Sequence, residues 1–263
     1  MALTFNEFKD KATKILNLNL DGYKTKRVQR RTDSLMRRHN IENYDQCLNL
    51  LKNDNDFKAA YLNHFTINTS EFYRNPKNFK YLETEIIPEI MNNNRNAKIW
   101  SSPCSNGSEP YTIAIILSKL SYNPGNYTII GSDLDSNILT EAKKGIYNEN
   151  AVQNVPPEIL KEYFKPINDS TNKYQLSKKI IEKVKFEKID LINESFKRNW
   201  DLILCRNFFI YLTKDIKEML THKYTSALKK GGYLFLGNTE FIFNPENFGL
   251  EKIYSSFYRK IGD

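Results

Sequence analysis

This chain of 263 residues is poor in several things, and each scarcity removes a class of protein. No apolar run approaches the roughly eighteen residues that cross a bilayer, so membrane insertion is not expected. The opening MALTFNEFKDKATK carries acidic and polar side chains where a secretory leader has an apolar core, which points to a cytoplasmic protein. Cysteine is scarce. Cys47, Cys104 and Cys205 lie far apart with no CxxC spacing, so neither a disulfide framework nor a zinc site is expected, and no other metal is called for. Glycine is scarce where a phosphate site would need it. The turn SPCSNGSEP, residues 102–110, holds Gly107 alone, whereas a dinucleotide site uses G-x-G-x-x-G to bring backbone amides against a pyrophosphate.

Positive charge is plentiful, at a formal net +8, and nucleic acid is the reflex guess. The charge is local, however. Residues 21–40 hold Lys24, Lys26, Arg27, Arg30, Arg31, Arg37 and Arg38 against Asp21 and Asp33, a net +5 in twenty residues. A single basic face fits a docking surface for an acidic protein partner, or simply a solvated helix. Amino-group methylases of nucleic acids place N-P-P-Y or D-P-P-Y after a sheet strand. The Pro-Pro of this chain, Pro156-Pro157, lies outside any such position.

The composition, 40% hydrophobic and 27% charged, suits a globular core. Phe5, Phe8, Ala12 and Ile15 recur at helical spacing, with Gly22 as the break. Lys24 to His39 resumes with Val28, Leu35 and Met36 as the apolar side. Two short helical patterns follow, at 44–51 and 57–65, with Asp54 to Asp56 as caps. Residues 1–75 therefore read as an all-helical, basic docking domain.

After a polar and aromatic connection, FTINTSEFYRNPKNF (65–79), a helix is predicted from Pro76 to about Ile87, stopping before Pro88. Then strands and helices alternate. AKIWSS (97–102) and YTIIGS (127–132) are strands, followed by helices over 109–120 and 136–144, the second closed by Gly145. Val184 to Ile189 and DLILC (201–205) are further strands. A helix over 214–228 ends at Gly231-Gly232, and YLFL (233–236) and residues 253–258 supply a final antiparallel pair. This pattern predicts a mostly parallel sheet with helices on both faces over residues 76–263. Residues 150–183 break the alternation and read as a small inserted β flap.

Open α/β sheets bind ligands beyond their strand ends. Glu109 is placed to attract a cationic group, and Asp133, at the tip of the second strand, to accept ribose hydroxyls. Each also has a bland explanation, Glu109 as a helix-start acid and Asp133 as an N-cap. A nucleoside ligand without phosphate, such as S-adenosylmethionine, fits this turn better than a dinucleotide.

The same residues carry a family resemblance. WSSPCSNGSEPY (100–111) resembles the signature turn of the CheR-type chemotaxis receptor methyltransferases. Asn68 to Arg74 (NTSEFYR), Gly131 to Asp135 (GSDLD), Cys205 to Tyr211 (CRNFFIY), Gly231 to Glu240 (GGYLFLGNTE) and Phe257 to Arg259 are similar to further blocks of that family, in the same order. The resemblance implies a Rossmann-like class I S-adenosylmethionine-dependent methyltransferase sheet with an N-terminal helical domain and a small β flap. It implies methyl transfer to glutamate side chains in the cytoplasmic helical region of methyl-accepting chemoreceptors, with S-adenosyl-L-homocysteine as product. By position, cofactor contacts fall on Asn68, Ser70, Arg74, Glu109, Asp133, Asp190, Leu191, Arg206 and Asn207, with Asp190 standing where some members have asparagine. Arg74 and Tyr211 are the residues expected to orient the acceptor carboxylate. Lys24, Arg27, Arg30, Arg31 and Arg38 are expected to dock the receptor. The protein is expected to be a monomer that binds no nucleic acid. The loop over 165–173 lacks the glycine with which some members grip a receptor tail, so no tethering is expected. The alternatives are a nucleic-acid methyltransferase and a non-catalytic module that binds the nucleoside.

Overall fold

The computed structural model describes residues 3–65, 70–167 and 172–262. The chain divides into two compact units: Met1–Asn68 with Tyr211–Met219, and Thr69–Ile210 with Leu220–Asp263.

The first unit is built on four helices, α1 (Phe5–Leu16), α2 (Thr25–Arg38), α3 (Tyr44–Asn53) and α4 (Asn55–Phe65). Their starts are set by capping. The Thr4 hydroxyl accepts from the Glu7 amide, and Glu7 returns a carboxylate to the Thr4 amide at 2.8 Å, a reciprocal capping box. Asn43 caps α3, and the Asp54 carboxylate accepts from the amides of Asp56 and Phe57, both at 2.9 Å. α1 stops earlier than Gly22 predicts. Asn17 adopts a left-handed φ of 49° and ends the helix, which Asn tolerates better than most residues. Ile15 is only half-buried as a result, and Leu16 fills the core instead. α2 buries Val28, Leu35 and Met36 as its spacing predicts, together with Thr32, whose hydroxyl is 2.7 Å from the buried Tyr61 hydroxyl.

A late segment completes this unit. The Lys24 amide donates to the Tyr211 carbonyl and the Thr213 amide to the Gly22 carbonyl, both at 3.0 Å, and Tyr23 and Leu212 form an antiparallel bridge. Nothing in the local sequence pattern of 211–219 signals this pairing.

The second unit carries ten strands among the described residues, β1 (Ala97–Ser101), β2 (Tyr127–Asp133), β3 (Ile146–Asn148), β4 (Phe164–Pro166), β5 (Lys173–Leu176), β6 (Val184–Lys188), β7 (Trp200–Cys205), β8 (Leu228–Leu236), β9 (Leu250–Tyr254) and β10 (Phe257–Lys260). Seven form one sheet in the order β6-β2-β1-β7-β8-β10-β9. Pairing is parallel from β6 to β8, and β10 is antiparallel to both β8 and β9. The final antiparallel pair is therefore real, but residues 253–258 are not one strand. β9 and β10 meet in a turn at Ser255, which has a positive φ of 37°. The inserted flap is a second sheet, β3-β5-β4, and it begins at Ile146, earlier than expected.

The helix Ser108–Lys119 is buried at every position from Ser108 to Leu117, as the apolar run YTIAIIL requires. It lies in one core with sheet residues such as Ile99 and Leu202 and flap residues such as Phe164 and Leu176. The helix after Pro76 does not stop before Pro88. It runs as Pro76–Tyr81, widens to a π-type turn at Leu82–Ile86 and continues as Ile87–Asn93. The wide turn accommodates a proline ring and its missing donor, which would break a regular helix.

Candidate active site

Strand order reverses between β1 and β7. Chain leaving β1 passes outward through β2 to β6, and chain entering at β7 passes the other way through β8. Ligands of open α/β sheets bind beyond the carboxyl ends at such a point. Here those ends deliver the turn 102–108 and the pair Arg206-Asn207. Gly107 starts the following helix at φ 82°, where a Cβ would lie 3.0–3.1 Å from Ala142, Phe186 and Tyr111, so no larger residue fits.

Glu109, in the first turn of that helix, is buried. One carboxylate oxygen accepts from the Ser101 hydroxyl at 2.8 Å and the other from Arg206 Nη1 at 3.1 Å. Arg206 reaches further. Its Nη2 donates to the Arg74 carbonyl at 2.6 Å and to Asn75 Oδ1 at 2.7 Å, and its guanidinium lies over the touching rings of Phe79 and Phe235, at 5.0 and 4.6 Å. Burial lowers its pKa, with Glu109 opposing that change. The guanidinium therefore serves first as a strut between the helix start and the 70–75 stretch.

That stretch is held in an unusual shape. Tyr73 and Asn75, on either side of Arg74, both have left-handed backbones, with φ of 52° and 64°. For a bulky residue such as Tyr73 this costs on the order of 1–3 kcal/mol and persists only where surroundings enforce it. They do: the Tyr73 amide donates to Thr112 Oγ1 at 3.2 Å, the Phe72 amide to the Ala151 carbonyl at 2.9 Å, and Asn106 Nδ2 to the Ser70 carbonyl at 3.1 Å. The Tyr147 hydroxyl, from the flap, donates in turn to the Asn106 carbonyl at 2.9 Å. The Arg74 side chain is 37% exposed, with only a loose 3.9 Å approach to Glu71 among the described residues. The side chain is left available while its backbone is fixed. Asn68 lies outside the described residues.

Asp133 sits at the tip of β2 and is buried. Its carboxylate accepts from the amides of Ser105 (2.9 Å) and Asp135 (3.1 Å), and burial outweighs these bonds, pushing its pKa up to about 6. A carboxylate has about four acceptor sites, so two remain for hydroxyl donors. Asp135, and not Asp133, is the helix N-cap, accepting from the amides of Asn137 and Ile138. Asp190 spends its oxygens inside its own turn, on the amides of Ile192 and Asn193 and on Asn193 Nδ2. Lys223 clamps the same turn by donating to the carbonyls of Leu191 (2.7 Å) and Glu194 (2.5 Å). The buried Leu191 is left to offer an apolar surface.

Glu240 is a site residue whose role local spacing does not reveal. Its carboxylate accepts from the amides of Asn207 (2.8 Å), Ile210 (3.1 Å) and Gly237 (2.7 Å), so it shapes the turn that follows β7 and the left-handed Asn207. A Cβ at Gly237 would collide with this carboxylate, which accounts for the glycine. The glutamate closing the GGYLFLGNTE block is the signal that could have found it. Ser105 Oγ and Arg206 Nε, at the same strand ends, are buried with no hydrogen-bond partner, so polar capacity remains for a polar ligand. Among the described residues no three His, Cys, Asp or Glu side chains gather as metal ligands, and the three cysteines are buried free thiols.

Tyr211 belongs to the first unit, with α2. On that helix Lys24, Arg30 and Arg38 are exposed, whereas Arg27 and Arg31 are half-buried. The five do not form one uniform basic face.

Two family models match in tandem: the CheR methyltransferase all-alpha domain over residues 3–66 and the CheR methyltransferase SAM binding domain over residues 68–257. Similar proteins called chemotaxis protein methyltransferase include one from Listeria innocua, 31% identical over 93% of this chain and 92% of its own length, and one from Borreliella burgdorferi, 31% identical over 98% and 96%. Another, from Salmonella typhimurium, is 27% identical over 84% of this chain and 77% of its own. No described helix is long and apolar enough to cross a membrane. With both family domains matched in their order over nearly the whole chain, the chain belongs to the CheR family of S-adenosylmethionine-dependent methyltransferases.

Proposed function

We propose that this protein transfers methyl groups from S-adenosylmethionine to glutamate side-chain carboxylates on the cytoplasmic helices of chemoreceptors. The tandem match to both CheR domains supports this most directly. Glu109, buried beside Ser101 and Arg206, would face the amino group of the cofactor, and Asp133 its ribose hydroxyls. Leu191 would lie against the adenine. When bound, the cofactor supplies a methyl group on a positively charged sulfur, and the electrons of the broken carbon–sulfur bond stay with sulfur to leave S-adenosylhomocysteine.

The acceptor needs no base. A glutamate, with a reference pKa of about 4.3, is ionised at neutral pH. What the chain must do is align a carboxylate oxygen with the methyl carbon and exclude water, and alignment can account for roughly 7–11 kcal/mol of barrier at its upper end. Arg74, with its fixed backbone and free guanidinium, is suited to hold one carboxylate oxygen. Tyr211 would donate a hydrogen bond that sets the angle of approach. Incubation of the protein with a receptor cytoplasmic fragment and methyl-labelled cofactor tests this. Label that is released by mild base is expected, because an ester hydrolyses and an N-methyl group does not. Base-stable label, or none, overturns the proposal.

The ionisation of Asp133 makes cofactor binding pH-dependent. Its folded pKa is raised, so its contribution to stability is present at low pH and is lost as pH rises through about 6. Hydroxyl donors need the ionised form, so cofactor affinity runs the opposite way. Below pH 6 the Kd of S-adenosylmethionine is expected to rise by up to about tenfold per pH unit, as one proton must be released on binding. Calorimetry across pH 5 to 7.5 checks it, and a flat profile would remove Asp133 from the ribose.

The exposed α2 cations make a second, separable prediction. Charge reversal at Arg30 and Arg38 is expected to raise the KM for receptor and to flatten its salt dependence, since screened long-range attraction is what these side chains provide. An unchanged KM and salt response would remove α2 from docking.

A further inference from the structure

Arg27 does not behave as a docking charge. Its guanidinium carbon lies 3.3 Å from the centroid of the Tyr211 ring, the spacing of flat stacking rather than of a distant cation–π contact. Tyr23 and Phe65 stand at 5.9 and 5.8 Å and complete an aromatic cage within the first unit. Its Nε and Nη1 are buried with no hydrogen-bond partner. The side chains whose charges weigh most on it are Tyr211, Tyr23, Arg31 and Arg30, none of them a carboxylate. Burial lowers its pKa to about 10, so it remains a cation at neutral pH.

A cation desolvated in this way, with two nitrogens unpaired among the described residues, is unfavourable by itself. The stack is its main return, and the stack falls on the tyrosine expected to meet the acceptor. The backbone at and just after that tyrosine is already pinned, through Lys24 to the Tyr211 carbonyl and through Thr213 to the Gly22 carbonyl. Those bonds fix where the Cα lies and leave the ring free to turn about its side-chain torsions. A flat guanidinium against one face removes that freedom. Lysine cannot do the same, because an ammonium is a point charge on a flexible stem and has no plane to stack.

We propose that Arg27 is a positioning residue that holds the Tyr211 ring in the orientation its hydroxyl needs to meet the acceptor carboxylate. The importance of that hydroxyl rests on the carboxyl-methyl transfer proposed above.

The test is Arg27→Lys in the full chain, which keeps the charge and loses the plane. The kcat for receptor methylation is expected to fall about 10- to 100-fold, the scale of a small misplacement of a reacting group. The KM for S-adenosylmethionine and the salt dependence of the receptor KM should stay those of the parent, and the variant should remain folded at the assay temperature although its melting temperature falls with the lost stack. A retained kcat overturns the proposal and returns Arg27 to the docking face. So does a kcat loss that vanishes when parent and variant are compared well below the variant's melting temperature, which marks a merely structural role. A second measurement is independent of activity. In nitrogen-15 spectra of the arginine side chains, the Nε–H signal of Arg27 is expected upfield of the ordinary range through the ring current of Tyr211, returning to it in Tyr211→Leu. No upfield signal in the parent protein overturns the stack. Failure of base-labile labelling by the parent protein counts against the carboxylate acceptor and leaves this spectrum unaltered, so the two failures are told apart.

Discussion

Arg74→Ala is expected to lower receptor methylation by about 100-fold, the scale of loss when a reacting group is no longer held in line. The reason lies in how the residue is built in. Its backbone carbonyl is gripped by Arg206 and its two neighbours are locked in left-handed conformations, yet its side chain has only a loose 3.9 Å contact with Glu71. A structural arginine would spend its donors on the protein. This one is aimed and left unspent. Alanine leaves the carbonyl in place, so Arg206 keeps its partner and the melting temperature should scarcely move. Arg74→Lys should fall between, because a single ammonium keeps the charge and loses the planar fork that fixes one carboxylate geometry. Initial rates with labelled cofactor and receptor fragment check the series. Near-parental turnover in the alanine variant would transfer acceptor binding to another residue.

Arg206→Met should act on the fold instead, destabilising it by about 3–5 kcal/mol, because removing one partner of a buried pair leaves the other charge uncompensated. Glu109 would keep one bond, from the Ser101 hydroxyl, and lose its countercharge; the Arg74 carbonyl and Asn75 Oδ1 would lose a donor as well. Methionine fills much of the same space over Phe79 and Phe235, so the loss reports charge and hydrogen bonds more than a cavity. Adding Glu109→Gln should recover part of the stability by removing the stranded charge. Urea unfolding of the single and double variants measures this coupling. A single-variant loss below about 1 kcal/mol would place the pair among those a fold hardly notices. The two variants should also divide cleanly: Arg74→Ala changes rate without stability, and Arg206→Met changes stability first.

How much of this was visible beforehand depended on how far apart the interacting residues lie. The alternation of strands and helices, the turn at 102–110, Gly107, Gly145 and the cap at Asp54 are matters of neighbours within a few residues, where period and capping speak directly. The mixed sheet with its closing antiparallel strands and the inserted flap followed from that order. The family blocks marked Arg206 and Asn207 as cofactor contacts, but not that Arg206 braces Glu109 against the 70–75 stretch, across 97 and 131–132 residues. Glu240 was visible as a letter in a block and not as the acceptor for three amides. Lys223 looked like any helix lysine. Pro88 looked like a stop, because a π-type turn upstream leaves no trace in a simple period.

The sequence by itself determined most of the elements and their order, and which turn is the candidate for a ligand, since those follow from local hydrophobic period, turn chemistry and recognisable motifs. Only the tertiary structure decided which side chains complete each other's unmet charge and hydrogen bonds. It moved Tyr211 from the sheet domain, where the chain order placed it, into the helical unit, and it separated Arg27 from the arginines that resemble it on α2. The physical reason is the same in each case. A guanidinium or carboxylate can be satisfied by any suitable partner within about 3 Å, and chain order does not say which one folding will bring there.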